Sequence, residues 1–370
     1  MPVRTADGAD LLLPPSSILL HIGPFKTGSS ALQMALHSRR TDLLELGVLY
    51  PGTEYRHVRP VAAVMGRGPR GVPEVPEQEW LDLLDEIGRV AAPLTVLSNE
   101  GLSTAGPRTI RRMVGDLGAE RVHVVRVERR LDRLLPSAWQ ERIKSSNETR
   151  PYPEFLDDTL TADPATAKGK RASFWAAHSL EKFLDRWCHV LPDDRIHIVV
   201  ADDRDPLVTT AVFERMLGLP PGTLDPTQRP NTSLSWERVE LCRRLNQVFD
   251  ERGWSDRLRR RLLQQSVVGG LRDAAIGEHD SRIPPVSGKR LVRTAELSDS
   301  RIRLLTTTGV DVIGDPELTR VTHDASAPPI EDPELPTTID IAAVVAAIEH
   351  LVADAHARNE KWSARKAKET

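Results

Sequence analysis

The sequence predicts an α/β fold in three layers, with a central, mostly parallel sheet covered by helices on both faces. Three observations point there. Short apolar runs alternate with amphipathic helical stretches between residues 17 and 314, the pattern of a parallel sheet built from strand–helix–strand units. A glycine-punctuated turn separates the first apolar run from the first helical stretch. The 370 residues, 39% of them hydrophobic, can fill the core of one large domain with appendages.

Taken in order, Ser17-Ile18-Leu19-Leu20-His21-Ile22 is a buried strand stopped by Gly23-Pro24. Residues 29–46 carry Leu, Ala and Arg at helical spacing. Further strands are expected at 48–50, 94–98, 121–127, 195–200 and, more weakly, 309–314, for a sheet of about five strands. Between them, 79–89 has apolar residues at 80, 83, 84 and 87, and 173–190 carries Phe174, Trp175, Leu180, Phe183, Leu184 and Trp187. Residues 206–217 run into Gly218, a helix stop. Crossovers are expected to be right-handed.

The organisation expected is a lead over 1–14, one domain over 15–322, a proline-rich linker over 323–337, and an amphipathic helix with a charged tail over 338–370. That helix carries Ile341, Val344, Val345, Ile348, Leu351, Val352 and Ala355, and it can pack on the domain or on a second copy as a homodimer. Residues 66–76 and 161–170 read as loops, and there is no internal repeat.

The charge balance is 50 basic against 53 acidic side chains, net −3, which argues against a general nucleic-acid binder. No apolar run approaches the ~20 residues of a membrane span, and residues 1–15 lack the long apolar stretch of a signal peptide. The two cysteines, Cys188 and Cys242, form no metal-binding pattern and read as reduced, packed thiols. A cytoplasmic location follows as the expectation.

The strongest motif is His21-Ile22-Gly23-Pro24-Phe25-Lys26-Thr27-Gly28-Ser29-Ser30, between a strand and a helix. A turn of this kind points successive N–H groups into one concavity, and the helix adds the positive end of its dipole. Lys26 supplies a charge, and Thr27, Ser29 and Ser30 supply hydroxyls, which together make a cradle for a phosphate. A Walker A loop places its lysine directly after the second glycine; here Lys26 precedes Gly28 by two.

Lys26-Thr27-Gly28-Ser29-Ser30 resembles the 5′-phosphosulfate loop of the sulfotransferases that use 3′-phosphoadenosine 5′-phosphosulfate (PAPS). The longer string resembles a bacterial branch of that family, with Phe25 where a histidine is expected. The resemblance implies a P-loop-like sulfotransferase fold over about residues 17–320, with PAPS as co-substrate; the residues themselves call for no metal. The family has a second signature for the 3′-phosphate, an arginine after a central strand and a serine eight residues later. Arg129 and Ser137 match it, with Arg126 and Arg130 as alternative registers. An arginine fork and a hydroxyl at a helix start can grip one phosphate.

Glu100, at the end of the run from Leu94, lies where doubly wound sheets bind ligands and is a candidate general base; capping or ion pairing is its plainer role. His57 is the rival base, and packing is the plainer role for it. Gln140 and Lys144, four apart after Trp139, share a helix face that can meet the acceptor or the sulfate, or simply solvent. Arg229-Pro230-Asn231-Thr232-Ser233 resembles a late Asn-x-Ser segment of such bacterial enzymes and is given no role. Loops 51–76 and 145–172 are expected to shape the pocket of a small-molecule, lipid or carbohydrate acceptor, with a hydroxyl or amine as the acceptor group. The competing functions are a P-loop kinase and a non-catalytic nucleotide-binding protein of the same fold.

Overall fold

Six parallel strands form the centre of the molecule: β1 (Ser17–His21), β2 (Val48–Leu49), β3 (Leu94–Ser98), β4 (Val122–Glu128), β5 (Ile196–Val200) and β6 (Asp311–Ile313). Their spatial order is β2-β3-β1-β4-β5-β6. The computed structural model describes residues 11–66, 68, 75–145, 147–169, 173–225, 233–323 and 333–369, with side chains as far as 360. The lead before residue 11, most of the 66–76 loop, Lys170, Arg229 to Thr232 and the prolines at 328 and 329 lie outside the described residues.

The strand alternation decides which face each side chain serves. Ile18, Leu20, Val122, Val124, Ile196 and Ile198 enter one core, shared with the helices Gln78–Val90, Pro107–Leu117 and Leu180–Cys188. Leu19, Val96, Val125, Val127 and Val199 enter the other, against the helices Ser29–Ser38 and Leu207–Met216. Both faces are therefore covered, the three-layer arrangement expected of an all-parallel sheet. Burying each such aliphatic side chain contributes about 1.5–3 kcal/mol.

The sheet has six strands rather than about five. Val48–Leu49 pairs with β3 through only two residues, and Asp311–Ile313 closes the other edge on β5. The expected helix over 29–46 is two helices, Ser29–Ser38 and Arg40–Glu45, broken at Arg39. The 173–190 stretch is also two, because the Ser179 hydroxyl accepts from the Lys182 N–H at 3.0 Å and caps a new helix. Cys242 is buried, and burial pushes its thiol up to about 12; Cys188 is exposed rather than packed.

A third core contains no strand residue and is built mainly by helices. Leu135, Trp139, Phe155, Trp175, Val239 and Leu271 pack together from the helices Leu131–Ser145, Tyr152–Thr161, Ser173–His178, Trp236–Glu251 and Val268–Asp273. The C-terminal helix, Ile341–Glu369, runs on through the charged tail. It packs back on this layer through Ala343 and Ala347, and leaves Ile341, Val345, Ile348 and Val352 exposed. The approach is close because Gly270 has no side chain: a Cβ there would lie 2.3 Å from the Ala346 carbonyl oxygen.

Candidate functional site

After β1 the chain turns through Gly23 (φ 81°), Lys26 (φ 72°) and Gly28 (φ 98°) before entering the Ser29–Ser38 helix. Lys26 is not a glycine, so its left-handed backbone is strained, a condition that concentrates at functional sites. Gly23 is required twice over, by its φ and because a Cβ would come within 2.9 Å of Glu100 Cγ. The Thr27 hydroxyl donates to the Pro24 carbonyl at 2.8 Å and braces the turn. No side chain caps the helix start at Gly28, and no acidic residue stands in its first turn. That N-terminus keeps its positive end open to a ligand.

In this strand order the connection from β1 leads toward β2 and that from β4 leads toward β5, so β1 and β4 flank the switch point where such sheets bind ligands. The Lys26 loop follows β1, and Arg129 follows β4. Arg129 and Ser137 line the same cleft as residues 25–30, a cavity of about 730 Å³. Arg129 Nη1 donates to the Lys26 carbonyl at 3.2 Å, and Nε donates to Asp203 at 2.5 Å.

The structure separates the three arginines of this region. Arg126 shares a strand face with Val122 and Val124 and is fully buried; it donates to the carbonyls of Ala177 and His178 and pairs with Glu128. Glu128 also pairs with Arg301 at 3.0 Å. Arg130 pairs with Asp132 at 2.8 Å. Only Arg129 of the three is among the residues lining the cleft.

Beneath the loop lies a buried polar network. His21 Nδ1 and the Ser98 hydroxyl are 2.8 Å apart, and Gln33 Nε2 donates to the same hydroxyl at 3.0 Å. Burial takes the His21 imidazole down to about 3, so it is neutral here. His57 is also buried and does not line the cleft. The Ser98 N–H reaches its Nδ1 at 3.1 Å, its Nε2 lies 3.0 Å from the Pro51 carbonyl, and its ring stands edge-on to Tyr50. Burial, partly countered by the Pro51 and Ser98 carbonyls, takes it down to about 4. The structure thus gives His57 a packing position and leaves neither ring nitrogen to an acceptor.

Glu100 does line the cleft. It is buried, begins the short helical turn Glu100–Thr104 after β3, and lies 3.9 Å from the Arg56 guanidinium. Lys26 Nζ stands 3.8 Å from Glu141, which Lys144 approaches at 3.2 Å. Gln140 and Lys144 line the cleft with them, whereas Trp139 is buried and donates from Nε1 to the Arg150 carbonyl. Of the two loops expected to shape the pocket, Tyr55 and Arg56 contribute; among the described residues, none of 145–172 lines the cleft.

Several lining residues were not singled out by sequence: Glu141, Asp202 and Asp203, Thr209 and Thr210, and Arg272. The two aspartates follow β5, so the strand-end rule that located Glu100 would also have found them. Arg272 arrives from the helical layer and had no local signal.

The donors of the cleft suit an anionic group such as a phosphate. The Ser29 hydroxyl is buried at the helix start with no hydrogen-bond partner, an acceptor vacancy of the kind such a ligand fills. The Asp203 carboxylate works the other way, since it already holds one edge of the Arg129 fork. Among the described residues, no group of three or more His, Cys, Asp or Glu is arranged for a metal ion, and no helix is long and apolar enough to cross a membrane.

No family model matches the chain, and no curated protein matches it. Among solved structures it is similar to a sulfotransferase from Alicyclobacillus acidocaldarius, at 15% identity over 64% of this chain and 93% of that one. The TM-score is 0.38, a distance at which the likeness carries no functional weight.

Proposed function

We propose that the protein is a sulfotransferase that moves a sulfuryl group from PAPS to an acceptor hydroxyl or amine. The observation that carries this reading is the meeting of two separate motifs in one cleft: the Lys26–Ser30 loop after β1 and the Arg129–Ser137 pair after β4. A 5′-phosphate needs only the first, and a 3′-phosphate gives the second a purpose.

In this reading the loop N–H groups, Lys26 and the Ser29 and Ser30 hydroxyls hold the 5′-phosphosulfate, and Arg129 with Ser137 holds the 3′-phosphate. PAPS supplies the activated sulfuryl group. The acceptor oxygen or nitrogen bonds to sulfur as the bond from sulfur to the bridging phosphate oxygen breaks, releasing adenosine 3′,5′-bisphosphate. Lys26 offsets the charge that grows on that bridging oxygen. Glu100, buried at the strand end, takes the acceptor proton. Positioning and preorganised charge do the remaining work, as in phosphoryl transfer.

The test is a panel of hydroxyl and amine acceptors incubated with radiolabelled PAPS in the presence of a chelator, with a parallel panel using ATP and Mg²⁺. Label on an acceptor from PAPS alone supports the reading. Phosphate transfer from ATP, with none from PAPS, would move the protein to the kinases.

A further inference from the structure

We infer that the acceptor is an anion, and that a carboxylate, phosphate or sulfate on it docks between Lys144 and Arg272. This rests on the sulfotransferase reading and extends it to the class of acceptor.

The cleft wall facing the phosphate loop is built by the helical layer. Gln140, Glu141 and Lys144 come from the Leu131–Ser145 helix and Arg272 from the Val268–Asp273 helix. The Lys144 side chain is only 7% exposed, and its Nζ lies 3.2 Å from Glu141 and 3.4 Å from Gln140 Oε1. Glu141 pairs with Lys144 and Lys26: burial raises it, and Lys144, Lys26 and, through its charge, Arg272 together bring it below its usual range. Burial, Lys26 and Arg272 lower Lys144, against the pull of Glu141.

The charge on the helical wall, with Glu100, Asp202 and Asp203 elsewhere in the lining of the cleft, then favours an anion. Once Lys26 turns to the nucleotide, Lys144 and Arg272 face one carboxylate, leaving one positive charge in excess. Arg272 Nε is buried and has no hydrogen-bond partner. A desolvated cation and an unmet donor are costly until an acceptor atom arrives. One oxyanion meets both needs. A neutral alcohol or sugar oxygen can accept from Arg272 Nε but leaves the excess charge unmet, and a cationic group adds to that charge.

The experiment uses the full chain saturated with adenosine 3′,5′-bisphosphate, with inorganic sulfate titrated by calorimetry. We expect a saturable sulfate site that weakens about tenfold in Arg272→Met, recovers in Arg272→Lys, and persists in Lys26→Ala. Bisphosphate affinity should be unchanged in both Arg272 variants, which also shows that they are folded. No sulfate site in the native protein overturns the inference. So does loss in Lys26→Ala with no effect of Arg272→Met, because the ion would then occupy the loop. If the native protein fails to bind the bisphosphate, the nucleotide reading itself fails; sulfate titrated without nucleotide still reports on Arg272 through the same variants.

Discussion

Arg129 reaches across the switch point and donates through Nη1 to the main-chain carbonyl of Lys26, at 3.2 Å. The second motif is thereby tied to the first before any ligand arrives. The guanidinium fork makes this possible, because Nε holds Asp203 while Nη1 holds the loop.

Arg129→Lys therefore removes more than a charge contact. A lysine cannot serve Asp203, the Lys26 carbonyl and a phosphate together. Affinity for adenosine 3′,5′-bisphosphate should fall by about tenfold or more, while AMP affinity changes less than about threefold. Calorimetry with both nucleotides checks this. Equal losses for both would make Arg129 a brace for the loop only.

Lys26 carries its charge from a left-handed backbone position, 3.8 Å from Glu141. Lys26→Ala should reduce turnover by about 10²–10³ and weaken product binding much less, since the loop N–H groups remain. Single-turnover kinetics beside product titration separates the two. Simultaneous loss of folding and product binding would show the lysine to be structural.

Glu100→Gln should keep the fold and nucleotide affinity and lower turnover by about 10²–10⁴, with the acidic limb of the pH–rate profile flattened. The competing outcome is specific to this geometry. If the carboxylate serves only its pair with Arg56, the variant loses thermal stability and keeps its turnover per folded molecule.

Burial holds His21 down to about 3 and His57 down to about 4, against an ordinary value of 6.5. His123, also buried and beside His197 and Arg195, falls to about 4. These rings stay neutral in the folded protein and take up protons on unfolding. Stability is therefore full above pH 6.5 and declines as pH falls toward 4, each ring costing roughly 1.4 kcal/mol per pH unit. Denaturant unfolding between pH 7 and 5 should show this slope, and His57→Gln should reduce it by about one proton without changing turnover at pH 7. A fall of about 10² in turnover with an unchanged slope would restore His57 as a base.

The strands were legible because buried parallel strands are unbroken apolar runs, and β3 begins and ends where the run from Leu94 to Ser98 does. β2 was read at 48–50 as well, although only Val48 and Leu49 pair with β3. The break at Ser179 carried a readable cap, whereas the break at Arg39 has no side-chain cap to read. Within the site, Lys26, Thr27, Gly28, Ser29, Ser30, Glu100, Arg129 and Ser137 all line one cleft; all but Ser137 lie just beyond a strand or at the start of a helix, and Ser137 sits within the Leu131–Ser145 helix rather than at its start. The choice among Arg126, Arg129 and Arg130 needed the structure, though strand alternation already sends Arg126 to the side of Val122 and Val124. Arg272 and Glu141 owe their place to the packing of the helical layer, which no local pattern encodes.

The most direct test of the account compares adenosine 3′,5′-bisphosphate with AMP as ligands of the native protein, by calorimetry without added metal. A 3′-phosphate held by Arg129 and Ser137 should improve affinity by at least about tenfold, from one charge-assisted contact. Equal affinity for the two nucleotides, or none for either, would contradict the account.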